Sequence, residues 1–165
     1  MCPRPSQVSA VALYDDDVHA LSCSRDRAFL CWDLRNERRI TSHTQRMGGI
    51  NGIALSKNQT SVLTVGQEKR LVQWDLRDHN PVGVTDLSPD LSDEALTIAV
   101  SNSGRFVATG GTAQLLKLWD METMTLLQCC EGHSGDINDL KFSPDDKQVV
   151  SVGSDGIILV WNLYP

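Results

Sequence analysis

The chain is poor in the groups that carry chemistry. It has four histidines, His19, His43, His79 and His133, in 165 residues. No two of them stand at metal-ligand spacing with a third donor nearby, so no metal or other cofactor is expected. Five cysteines are scattered, two of them adjacent as Cys129-Cys130, and none forms Cys-x-x-Cys. That odd, unpatterned set argues against a disulfide framework and for reduced thiols in a cytoplasmic or nuclear compartment. Long apolar runs are missing too. The stretch Ile157–Trp161 is typical, and it is far too short to span a bilayer as a helix. The opening residues Met1–Pro5 lack the apolar core of a secretory signal. Gly48-Gly49 and Gly110-Gly111 lack the strand–loop–helix setting of a phosphate cradle. No serine is spaced from a histidine and an aspartate in a way that suggests a nucleophilic triad. Nothing here points to an enzyme.

Positive charge is scarce in one half only. Residues 1–84 carry 11 Lys and Arg against 9 Asp and Glu, and residues 85–165 carry 4 against 12. An acidic half with no basic face argues against nucleic-acid binding, which depends on displacing counterions. The one basic cluster is Arg35, Arg38 and Arg39. It could meet an acidic protein.

What the chain does have is a period. Its only tryptophans are Trp32, Trp74, Trp119 and Trp161, separated by 42, 45 and 42 residues. Asp33, Asp75, Asp120 and Asn162 follow them directly. Between these marks the chain superposes on itself without gaps. Val149-Val150-Ser151 corresponds to Val107-Ala108-Thr109, Val62-Leu63-Thr64 and Ala20-Leu21-Ser22. The last repeat reads as a strand Ile137–Phe142, a turn at Ser143–Asp146 and a strand Gln148–Gly153. A tight turn at Ser154-Asp155-Gly156 and a strand Ile157–Trp161 follow. That final strand is apolar at almost every position, which predicts burial on both faces. Arg38–His43, Pro81–Leu87 and Thr125–Glu131 supply candidate outer strands. A Trp-Asp pair every 40-odd residues marks one four-stranded propeller blade per repeat.

On these residues the chain resembles the WD-repeat (WD40) family. The implied fold is all-β: one segment, 1–165, of four blades, with repeats near 4–42, 43–87, 88–129 and 130–165. The resemblance also implies a buried relay in each blade, from a Trp indole to a Ser or Thr hydroxyl, then to a His and an Asp. Repeat four has the full set, His133, Ser151, Asp155 and Trp161. Repeat one keeps Ser22, Asp26 and Trp32, with Arg4 at the His place. Repeat two keeps Thr64 and Trp74, with Arg46 and Glu68 at the other places. Repeat three keeps Thr109 and Trp119, with Leu91 and Ala113.

Propellers of this family mostly have seven or eight blades, so four repeats are expected to be part of a ring. The chain is then the C-terminal half of a longer protein, a short isoform or fragment, or one of two copies that close an eight-bladed ring as a homodimer. Each blade packs only on its neighbours, so function should lie on surfaces shared between blades. The implied role is a non-catalytic scaffold for other proteins. Alignment puts contacts where loops meet first strands: Asp136 and Asn138, with Glu94, Asn51, Gln67 and Arg25 at or near equivalent places. Two finer resemblances differ in class. The last repeat, from Val150-Ser151-Val152-Gly153-Ser154-Asp155-Gly156 to Leu163-Tyr164-Pro165, resembles the ends of flagella-associated WD-repeat proteins on doublet microtubules. That implies tubulin and axonemal proteins as partners, met by Arg35, Arg38 and Arg39. Trp32-Asp33-Leu34-Arg35 and Trp74-Asp75-Leu76-Arg77 resemble the Trp-Asp-x-Arg motif of substrate receptors of cullin-type ubiquitin ligases. That implies a ligase adaptor met by Arg35 and Arg77.

Overall fold

The computed structural model describes residues 7–14, 16–44, 48–77, 81–88 and 93–163. Arg4, Arg46 and Leu91, which stand at the relay's His place in three repeats, lie outside these residues. All fifteen described elements are strands. Blade one holds β1 (Val8–Leu13), β2 (His19–Ser24), β3 (Ala28–Asp33) and β4 (Arg38–Thr44). Blade two holds β5 (Ile50–Leu55), β6 (Ser61–Gly66), β7 (Arg70–Asp75) and β8 (Pro81–Asp86). Blade three holds β9 (Ala95–Val100), β10 (Phe106–Gly111), β11 (Leu115–Asp120) and β12 (Leu126–Glu131). Blade four holds β13 (Ile137–Phe142), β14 (Gln148–Gly153) and β15 (Ile158–Asn162). Each blade is an antiparallel meander, four strands in three of them and three described strands in the last.

The same turns recur at the same places. The turn from first to second strand carries a left-handed residue at Asp17, Gln59, Gly104 and Asp146. The hairpin from second to third strand carries one at Arg27, Lys69, Gln114 and Gly156. Only some of these residues favour positive φ by themselves, so the repeat geometry imposes it on the others. The close approach of backbones is also repeated. A Cβ on Gly66 would fall on the carbonyl of Gly49, and one on Gly111 on that of Glu94. Those strand ends can only be glycine where the incoming loop crosses them.

The first strands stand side by side: β1 packs on β5, β5 on β9 and β9 on β13. They line an open central trough of about 610 Å³ that includes Val11, Ile53, Ile98 and Phe142. β13 and β1 make no comparable contact, so the arc is open. The core lies between blades in three layers. Phe29 and Leu21 meet Ile50 and Trp74, Leu63 and Leu71 meet Ile98 and Trp119, and Leu116 meets Ile137 and Val149. Burial of this kind, at about 25 cal/mol per Å², is what holds neighbouring sheets together.

One sequence expectation needs correcting. The strand expected to be buried on both faces is half open: Ile158 is 68 % exposed and Val160 54 %, because no described blade covers that side. His43, in the expected outer strand Arg38–His43, lies in β4 and is buried. Its ring stacks on Phe29 with centroids 4.5 Å apart, and it meets Trp74 edge-on.

Candidate protein-interaction surface

Each blade is pinned from within. Strand register explains how. Trp32, Trp74, Trp119 and Trp161 sit opposite Ala20, Val62, Val107 and Val149. The hydroxyl residue stands two places further along, on the same face and diagonal to the indole, within reach of a long aromatic. The indole N–H donates to Ser22 at 2.8 Å, Thr64 at 2.9 Å, Thr109 at 2.9 Å and Ser151 at 2.8 Å.

Blade four extends this pin. Ser151 Oγ lies 2.8 Å from His133 Nε2, and His133 Nδ1 lies 2.9 Å from Asp155 Oδ2. The indole can only donate and the carboxylate only accept. In the neutral ring Nδ1–H therefore points at Asp155, and the serine gives its hydrogen to Nε2. Asp155 also accepts from the N–H of Ser134 at 2.9 Å and of Ile157 at 3.0 Å. These donors, the Ser134 amide foremost, hold its pKa down to about 2. Ser, His and Asp thus stand in the order of a hydrolase triad, which the sequence spacing did not suggest. Ser151 is wholly buried and already accepts the Trp161 N–H. A substrate carbonyl has no path to it, so the arrangement holds the loop and does not attack.

Blade three reaches the same end with other chemistry. Lys117 Nζ donates to Asp93 Oδ2 at 2.6 Å and to the Leu87 carbonyl at 2.6 Å. Both side chains are 7 % exposed. Asp93 also accepts from the N–H of Ala113, the hairpin residue that corresponds to Asp155. The direction is reversed: here the loop carries the acid and the hairpin gives the amide. Sequence reasoning missed this pair. Its signal was a lysine inside the apolar run Leu115-Leu116-Lys117-Leu118-Trp119. Blade two ties Gln67 Oε1 to the Gly49 N–H at 2.9 Å. Blade one ties Ser24 Oγ to the Gln7 carbonyl at 3.0 Å, and Asp26 accepts the Ala28 N–H within its own hairpin.

The candidate contact residues fall at two ends of the blades. Antiparallel connection puts the second-to-third-strand hairpins and the incoming loops at one end. Arg25 is exposed there in blade one, with its backbone against Gly49. Gln67 is exposed beside it. Glu94 and Asp136 are half-buried, and Asn138 is exposed, with Nδ2 3.2 Å from Ser154 Oγ. Asn51 does not belong with them. It is buried, and its amide donates to Glu94 Oε1 at 2.9 Å and to the Ala95 carbonyl at 3.1 Å. It orients Glu94 and offers no surface.

At the opposite end lie the turns that follow each tryptophan. Asp33 accepts from the N–H groups of Arg35 and Asn36, both at 3.0 Å, and from the Asn36 side chain at 2.7 Å. The Asn36 bond is the first cause of its lowered pKa. Asp75 accepts from the Arg77 N–H at 2.7 Å. Asp120 does the same for Glu122 and Thr123, and the Thr123 amide lowers its pKa. In the first three blades the residue after the Trp is therefore a turn cap. By capping, it presents Arg35 and Arg77 outward, both exposed. Arg38 stays 3.8 Å from Asp33, and Arg39 is exposed next to it at the start of β4. Among the described residues, no group of three His, Cys, Asp or Glu could hold a metal ion. No helix is long and apolar enough to cross a membrane.

A repeated, pinned four-stranded sheet defines the class: a β-propeller built from sequence repeats. The family model described as "WD domain, G-beta repeat" (WD40) matches residues 76–120 and 124–162, just over half of the chain. The chain belongs to the WD-repeat family. It is similar to cilia- and flagella-associated protein 52 of Chlamydomonas reinhardtii, 28 % identical over 155 residues. The same protein of Sus scrofa is 27 % identical over 163 residues. These alignments cover 94 % and 97 % of this chain and 25 % of each relative. The chain thus spans a quarter of the length of these relatives. It is also 25 % identical over 175 residues to the U3 snoRNP-associated protein-like EMB2271 of Arabidopsis thaliana, covering 96 % of this chain and 36 % of that one.

Proposed function

We propose that the chain is a non-catalytic scaffold for protein–protein contacts in the cilium or flagellum, part of the axoneme. The observation that carries this reading is the similarity along nearly the whole chain to relatives named for cilia and flagella. The rims support it: rigid sheets present fixed loop residues at both ends of the blades. Tubulin and neighbouring axonemal proteins are the partners. The exposed Arg35, Arg38 and Arg39 make the contact with tubulin's acidic surface. At the other end Arg25, Gln67, Glu94, Asp136 and Asn138 meet further axonemal proteins. The test is co-sedimentation of the purified chain with microtubules at low and physiological salt. Binding that weakens on replacing all three arginines by Ala supports the reading. Sedimentation unchanged by that replacement, or none at any salt, contradicts it.

One observation favours a second reading. Arg35 and Arg77 stand outward in adjacent blades, and neither takes part in an ion pair among the described residues. In that reading the chain is a substrate receptor for a cullin-type ubiquitin ligase. Capture of the ligase adaptor by the chain, lost in Arg35→Ala or Arg77→Ala, would distinguish it.

A further inference from the structure

Blades two, three and four use one and the same turn between their first and second strands. It opens on Ser56, Ser101 and Ser143. The N–H three places on donates to the serine carbonyl: Gln59 at 2.9 Å, Gly104 at 2.9 Å and Asp146 at 3.0 Å. The N–H five places on donates to the serine Oγ: Ser61 at 3.1 Å, Phe106 at 3.0 Å and Gln148 at 3.0 Å. A turn closed in this way leaves the N–H groups of its two middle residues side by side and outside the turn. Successive amides of that kind collect anions.

Blade three shows what the pair takes. The Asn102 and Ser103 N–H groups donate to the two carboxylate oxygens of Asp146, at 2.7 and 2.6 Å. That carboxylate comes from the next blade, from the left-handed place of its turn. Burial works against its charge, and the Ser103 and Asn102 amides with the Lys57 ammonium nearby outweigh burial, so its pKa is lowered. Blade two offers the same pair on Lys57 and Asn58. The blade-three residue that corresponds to Asp146 is Gly104, which has no side chain to give. A Cβ there would lie 2.9 Å from Lys57 Cβ, so a side chain would displace Lys57. The Asn58 carboxamide is turned inward, accepting from Ser56 Oγ at 2.6 Å and the Thr60 N–H at 3.3 Å. Among the described residues, the Lys57 and Asn58 N–H groups find no acceptor in the chain. Both residues are exposed, on a cleft of about 640 Å³ between blades two and three. Glu122 lines its blade-three wall and takes neither amide, and Lys57 offsets its charge from the other wall.

We propose that the Lys57 and Asn58 amides, with the Lys57 ammonium, bind a carboxylate side chain of a partner protein, as the Asn102 and Ser103 amides bind Asp146. This rests on the scaffold reading only for the source of the carboxylate, a protein surface laid across this end of the blades. The affinity of the amides for the group does not depend on it. The test follows backbone amides of the full chain by two-dimensional NMR while N-acetyl-aspartate amide is added. Lys57 and Asn58 should shift downfield and saturate, while Asn102 and Ser103, already held by Asp146, stay in place. In Asp146→Ala, Asn102 and Ser103 should respond as well. Lys57→Asn keeps the amide and removes the charge, as at Asn102, and should weaken binding about two- to fivefold. Lys57→Pro also removes the amide, and the turn accepts it because blade four has Pro144 at that place. It should weaken binding by about tenfold or more. No saturable shift at Lys57 and Asn58 overturns the site. Silence of Asn102 and Ser103 in Asp146→Ala overturns the claim that such a pair collects carboxylates. An equal response at exposed amides throughout the chain overturns its specificity. Tighter saturation by inorganic phosphate than by the aspartate probe overturns the carboxylate and gives the pair to a phosphoryl group. No microtubule enters these measurements, so failure here and failure of the co-sedimentation test are read separately.

Discussion

Blades three and four hold the same loop by different means. In blade four an imidazole bridges a serine and an aspartate, and every group in the relay has a partner. In blade three a lysine and an aspartate, each nine-tenths buried, do the holding. A buried charge left alone is costly, whereas the Asp155 carboxylate of blade four keeps the Ser134 and Ile157 amides when the imidazole is lost. The comparison teaches that the repeat fixes where a pin is needed and not which chemistry makes it. It also orders the expected effects of breaking each pin.

The largest effect is expected in blade three. Asp93→Ala strands the Lys117 ammonium and should cost about 3–5 kcal/mol. For a chain of this size that is a fall in Tm on the order of 10 °C by thermal denaturation. Replacing both partners at once, Asp93→Leu with Lys117→Met, should restore most of that loss. A double variant as unstable as the single one would show that the pair itself is not the cause. Next comes His133→Ala, which leaves Ser151 and Asp155 short of partners, at roughly 1–3 kcal/mol. An unchanged melting temperature would refute its role. Smaller again is the loss of one indole N–H. Trp119→Phe leaves the buried Thr109 hydroxyl without its donor and should cost about 1 kcal/mol. Trp161→Phe, at a half-buried position, should cost less.

The smallest effect is a pH dependence, to which Asp155 contributes in blade four. Asp155 has its pKa lowered from 3.8 to about 2 by the Ser134 and Ile157 amides and His133. A depressed pKa means the unfolded chain takes up the proton first. The contribution is therefore complete above pH 3.8 and is lost as pH falls through about 2. Acid titration followed by circular dichroism should show a smaller loss in Asp155→Asn than in the wild type, since the other capping aspartates remain.

Much of the fold was legible because the signals repeat. The tryptophan period placed each third strand, and self-superposition placed the first two. Expected strands Ile137–Phe142 and Gln148–Gly153 coincide with β13 and β14, and the outer strands agree to within a residue or two. The partners of the tryptophans were legible from alignment alone, since the hydroxyl always precedes the indole by 10 residues. What was not legible depended on neighbours in space. Ile158 reads as a core residue, and only the lack of a covering blade exposes it. Asn51 reads as a surface donor, but the bulge turns its amide into the next blade. His43 reads as the end of an outer strand, and its burial against Phe29 does not show in the sequence. The pairing of Lys117 with Asp93 joins residues that superposition assigns to unrelated places in the repeat.

Native-state hydrogen exchange at two amides tests the comparison most directly. Asp155 holds the Ser134 N–H, and Asp93 holds the Ala113 N–H. If each blade carries its own pin, His133→Ala should speed exchange at Ser134 and leave Ala113 unchanged, and Asp93→Asn should do the reverse. Both amides speeding up together in either variant would mean that the two blades open as one unit, and the separate pins would not be what holds them.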